Sequence, residues 1–136
     1  MARDSADKHL LKVFVYLNDV DEGAGPFEYV CGSARKGPYA REWPWRPLGD
    51  FYPPQDELRE RVDGSAVRTL TGPAGTMIFC DTSGFHRGGF ATERPRSLRI
   101  FAYSSPASLL GITSRRFSVD ASGLPDMSAE ARFALT

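Results

Sequence analysis

The chain has 136 residues, 17 of them basic and 17 acidic, so its formal net charge is zero. That length suits a single domain, 1–136, able to bury roughly 68% of its unfolded surface. Balanced charge without a Lys/Arg block excludes the one-sided field of a nucleic-acid binder. No apolar run approaches the roughly 18 residues of a membrane-spanning helix, and the start carries no signal-peptide core, so the sequence predicts a cytoplasmic protein without membrane partners.

In chain order, a polar stretch containing Ala2-Arg3-Asp4 and His9 leads into "LLKVFVYL" (Leu10 to Leu17). This run is β-branched and aromatic on both alternating faces apart from Lys12, which predicts a strand inside a sandwich. "DVDEGAGP" then reads as a turn. "FEYVCG" (Phe27 to Gly32) predicts a second strand, Ala66 to Leu70 a short third, Thr76 to Asp81 a fourth, and Ser97 to Ser104 a final strong one. Short strands with Gly/Pro punctuation predict an all-β sandwich, barrel or jelly roll with minor helix.

Two stretches break that rhythm. Residues 36–65 hold five of the ten prolines and both tryptophans, followed by a short helical candidate, "PQDELRERV". A loop of this length inside a compact domain is usually functional or disordered, and its aromatics argue for the former. The tail ends in "MSAEARFAL", where Ser128 is placed to cap a short packing helix. Cys31 and Cys80 form no C-x-x-C pair and sit in apolar stretches, which predicts buried free thiols.

Chemistry concentrates in "GPAGTMIFCDTSGFHRGG" and the segment after it. His86, one of two histidines, follows a strand through a Ser-Gly turn, and small residues beyond it leave room for a ligand. Ten residues on, Arg96 enters the last strand, which predicts that an imidazole able to bind metal and a guanidinium able to grip a carboxylate bidentately point into the mouth of one β-barrel. Arg99, three positions further along a period-2 strand, should face the other side of the sheet. Arg94 reads as loop surface.

These blocks, "LKVFVYLNDVDEGAGPFEYVCGS" and "GPAGTMIFCDTSGFHRGG" followed by "RPRSLRIFAY", resemble the phytanoyl-CoA dioxygenase family of Fe(II)/2-oxoglutarate oxygenases over most of the chain. The resemblance implies a double-stranded β-helix (jelly-roll, cupin-like) core. It also implies that His86 is the distal histidine of a 2-His-1-carboxylate triad, and that Arg96 holds the far carboxylate of 2-oxoglutarate. The first two ligands of that triad form an H-x-D motif before the first strand, and the match falls on Ala2-Arg3-Asp4. Asp4 thus looks like the carboxylate ligand, while Ala2 fills the position of the missing histidine. His9 is the other imidazole, five residues past Asp4, and the weaker alternative as a ligand.

Further departures are Cys31-Gly32-Ser33-Ala34, where the family has "P-G-S-H", and Gly88, where a serine often bonds 2-oxoglutarate. The usual N-terminal elements are also not seen, which reads as truncation or degeneracy. The expected function is a 2-oxoglutarate-dependent dioxygenase hydroxylating a small organic or lipid-like substrate, impaired at the metal because of Ala2. Tyr39, Trp43, Trp45, Phe51 and Tyr52 are candidates for an apolar substrate wall, against the alternative that they plug an open end of the sandwich. The rival function is a non-catalytic jelly-roll ligand-binding domain or inactive fragment.

Overall fold

The computed structural model describes residues 1–7, 9–43, 52–105, 108 and 128–129. In it the first β-branched run becomes β1 (Leu10–Tyr16), the centre of a three-stranded antiparallel sheet. On one side it pairs with β4 (Met77–Asp81), on the other with β6 (Leu98–Ser104). Register sets Phe14 opposite Ile78 and Ile100, Lys12 opposite Cys80 and Ala102, and Tyr16 opposite Leu98. Because strand side chains alternate, these residues share one face, which is inward along β1, while Ile100 and Ala102 on β6 at the sheet's edge stay exposed. The outward row is apolar too, but Leu11, Met77 and Phe79 on it are exposed.

A second antiparallel sheet is ordered β3-β2-β5, from β2 (Phe27–Val30), β3 (Val67–Leu70) and β5 (His86–Gly88). Phe27 stands opposite Leu70 and Gly88, and Tyr29 opposite Arg68 and His86. The two sheets meet through Phe14, Phe27 and Cys80, with Tyr29, Leu70, Ile78 and Leu98 packed around them. The rings of Phe14 and Phe27 lie 4.5 Å apart between centroids. Each such buried aromatic contributes roughly 1.5–3 kcal/mol. Tyr16 adds a polar tie across the gap: its hydroxyl donates to Leu70 O at 2.6 Å and accepts from Phe27 N at 3.1 Å.

The helical candidate forms α1 (Gln55–Arg61), with Asp56 and Glu57 in its first turn and Arg59 and Arg61 in its last. That charge order complements the helix dipole. Leu58 on the helix and Val62 just past its end, four residues apart, pack with Val30 and Phe85 in a second core. Phe85 alternates with His86, so this core covers the face of the β2–β5 sheet opposite to His86.

Three expectations need correction or placement. His86, expected just past a Ser-Gly turn with no strand of its own, opens β5, a three-residue strand too short to show a period in sequence. Cys80 is buried, but Cys31 lies exposed in the turn after β2, because the chain leaves the sheet at Val30 and reverses through Gly32 at φ 77°. The expected helix over 127–135 lies outside the described residues except for positions 128 and 129. No helix among the described residues is long and apolar enough to cross a membrane.

Candidate metal centre

Residues 2–4 run beside β5 and the turn before it, joined to β5 by an isolated antiparallel bridge between Ala2 and His86. Ala2 N donates to His86 O at 2.6 Å, His86 N donates back to Ala2 O at 2.9 Å, and Asp4 N donates to Thr82 O at 2.9 Å. Residues directly paired across a ladder point their side chains to the same face, as do residues two apart. Ala2, Asp4 and His86 therefore share the inward face of the second sheet. Asp4 Oδ2 lies 3.9 Å from His86 Nε2.

Local contacts orient the imidazole. His86 Nδ1 is 3.0 Å from Gly84 O, and since a carbonyl can only accept, Nδ1 carries the proton and Nε2 presents its lone pair toward Asp4. The ring stacks on Phe27 at 5.7 Å between centroids. Burial lowers the imidazole pKa, against the raising effects of the Gly84 hydrogen bond and of Asp4. Neutral imidazole is the form that binds metal.

Behind His86, Ser33 fixes the turn. It is fully buried; its hydroxyl donates to Val30 O at 2.6 Å and accepts from Phe85 N at 2.7 Å. Gly84 cannot carry a side chain, since a Cβ there would overlap the Tyr29 hydroxyl, which donates to Asp81 O at 3.0 Å. Arg3 points to the opposite face from Ala2 and Asp4. Its guanidinium covers Phe85 at 4.2 Å and donates to the carbonyls of Ser33, Ala40 and Trp43. Sequence reasoning missed Arg3 and Ser33. The signal for Ser33 was its place at the end of the first stretch that carries the resemblance, and for Arg3 its place in the Ala2-Arg3-Asp4 match.

Arg96 reaches β5 from the start of the last strand. Its Nη1 donates to Gly25 O, and a Cβ on Gly88 would stand 2.5 Å from its Nη2. Gly88 lies two positions from His86, about 6.6 Å along the strand and on the same face. Arg99 is exposed opposite Val15, on the outward row, and Arg94 pairs with Asp21 at the surface. His9 is exposed before β1.

The aromatic segment is distributed differently from a wall over His86. Tyr39 and Trp43 pack against the Val30–Phe85 core, on the face opposite to His86, and Tyr52 is 74% exposed. Trp45 and Phe51 lie outside the described residues. A cleft of about 180 Å³ between α1 and the β2–β5 sheet, lined by Glu28, Arg59 and Arg87 among others, is also on that opposite face.

The donor set fits a metal in part. Adjacent ligands bonded at about 2.1 Å lie roughly 3.0 Å apart at a right angle, so the 3.9 Å between Asp4 Oδ2 and His86 Nε2 would have to close for both to hold one ion. The third position holds the Ala2 methyl, and no cluster of three His, Cys, Asp or Glu occurs among the described residues. The inward-facing Lys12 places Nζ 2.6 Å from Asp4 Oδ2. No family model, curated protein or solved structure matches the chain.

Proposed function

We propose that the chain is a degenerate Fe(II)/2-oxoglutarate dioxygenase of the phytanoyl-CoA dioxygenase type, built on a jelly-roll core and acting on a small organic or lipid-like substrate. The observation that carries this reading is the convergence of Ala2, Asp4 and His86 on one inward face, with Asp4 Oδ2 3.9 Å from His86 Nε2. Those are the three positions an H-x-D…H triad requires. When bound, iron and 2-oxoglutarate would supply the oxidising chemistry that hydroxylates a carbon–hydrogen bond.

The chain's own part is to bind and orient. Asp4 and His86 would hold the ion, the Gly84 carbonyl keeps His86 Nε2 free as a ligand, and Phe27 keeps water from one face of the ring. Arg96 would pair with the far carboxylate of 2-oxoglutarate, and bare Gly88 gives its guanidinium room beside β5. With Ala2 in place of an imidazole, only Asp4 and His86 of the three positions would hold the ion.

Metal-dependent release of succinate from 2-oxoglutarate tests this, measured for the unmodified chain, Ala2→His and His86→Ala at saturating iron. Ala2→His should be faster by about 10-fold or more, and His86→Ala inactive. Activity that survives removal of His86 would overturn the reading. A second reading, a non-catalytic ligand-binding domain on the same fold, is favoured by the Lys12–Asp4 ion pair, which gives the carboxylate a counter-charge without metal.

A further inference from the structure

Lys12 is the charged member of the inward row of β1, between Leu10 and Phe14. Its cross-strand neighbours, Cys80 and Ala102, offer it no counter-ion. The ammonium instead reaches the segment beside β5 and meets Asp4 Oδ2 at 2.6 Å, with both side chains about one-quarter exposed, at 24% and 26%. The same oxygen faces His86 Nε2. Asp4 therefore serves two partners that belong to different sheets.

We infer that Lys12 is a built-in competitor for the metal. Its ammonium already holds the Asp4 carboxylate oxygen that a divalent ion would need, so an ion would bind there only against the lysine's charge. This rests on the metal-centre reading above. A cation bonded to a carboxylate oxygen lies roughly 2.0–2.2 Å away. An ammonium 2.6 Å from that same oxygen would stand within about 5 Å of the ion and repel it, and in a partly buried site that repulsion is weakly screened. The chain thus differs from a simple two-ligand site: it carries its own occupant. Lys12 is a residue that sets metal affinity without being a ligand.

The test is equilibrium binding of Co²⁺, followed by its visible spectrum and by calorimetry. It uses the full chain, Lys12→Met, Lys12→Gln, Ala2→His, Ala2→His with Lys12→Met, and His86→Ala. Circular dichroism and thermal melts with and without cobalt accompany each. Removing the ammonium should tighten cobalt binding by about 10-fold or more, both in the parent chain and in the Ala2→His background. Cobalt should also raise the melting temperature of Lys12→Met more than that of the parent, since the ion then restores a counter-charge to Asp4. Lys12→Gln supplies the same comparison if the methionine variant folds poorly. Tighter binding in Ala2→His, lost with His86→Ala, but unchanged or weaker in both Lys12 variants, overturns the role of Lys12 and leaves the metal centre intact. Cobalt binding indifferent to His86, or no gain with Ala2→His, overturns the metal centre itself.

Discussion

Arg96 lies against β5 at Gly88, where a Cβ would stand 2.5 Å from the arginine Nη2. The glycine that reads in sequence as a lost serine is therefore also the space that admits the guanidinium. On the proposed function, Arg96→Ala is expected to weaken 2-oxoglutarate binding by roughly 2–5 kcal/mol, the usual cost of truncating one partner of a charge pair that the bound ligand buries. Gly88→Val should move in the same direction by displacing the side chain. Arg99→Ala, on the outward row, should change binding little. Calorimetric titration of the three variants checks this, and equal losses for Arg96→Ala and Arg99→Ala would show that neither contact is specific.

Acid should weaken the fold through His86. Burial holds its pKa below the ordinary value of 6.5, although the Gly84 hydrogen bond and Asp4 both raise it. In the window from about 6.5 down to the lowered value the unfolded chain binds a proton that the folded chain does not. Stability therefore falls as pH drops through that window and is regained above it. Urea unfolding across this range should show a steeper loss for the parent than for His86→Gln, which has no proton to take up. Parallel curves would remove His86 from the account.

Much of the fold was legible because strand alternation is a local property. The first run, expected over Leu10 to Leu17, forms Leu10–Tyr16, and the last, expected from Ser97, forms Leu98–Ser104. The second was expected to reach Gly32 but ends at Val30, since Gly32 adopts φ 77° and Ser33 turns inward to brace Phe85. β5 could not be read: His86, Arg87 and Gly88 are paired by β2 and by Ala2, partners that a local pattern cannot see. Lys12 stood out in the sequence as a charge in an apolar strand. Its partner Asp4 is named only by the packing of one sheet on the other. The aromatic segment shows the same limit, because composition marks Tyr39 and Trp43 as buried surface without saying which face of the sheet they cover.

The two thiols should separate cleanly. Burial, with Asp81 and Asp4 nearby, pushes Cys80 up to about 12, whereas Cys31 is exposed. Reactivity follows the thiolate and its access. An aromatic disulfide reagent at neutral pH is expected to label one thiol rapidly in the native chain and two in denaturant. Cys31→Ser should abolish the native phase. Rapid labelling of both would show that the core around Cys80 opens readily.

Arg3 joins the segment that carries Ala2 and Asp4 to the aromatic one, and its loss should be felt in both. It is 4% exposed, covers the Phe85 ring, and donates to the carbonyls of Ser33, Ala40 and Trp43. Arg3→Met keeps much of the apolar contact but leaves those three carbonyls without their donor. Hydrogen bonds from a charged group are worth about 1.5–3 kcal/mol each, and they do not add fully, so a loss of about 3–5 kcal/mol is expected. That is a large part of the roughly 5–15 kcal/mol typical of a domain, and should lower the melting temperature by on the order of 10 °C. Arg3→Lys should recover less than half, because an ammonium cannot reproduce the planar fork that reaches separate carbonyls. Since Arg3 lies between Ala2 and Asp4, the same substitution in the Ala2→His background should also weaken cobalt binding, and cleavage within residues 34–43 by a non-specific protease should quicken. A methionine variant that melts with the parent, and is cleaved no faster, would mean that the segment is held by Tyr39 and Trp43 packing alone.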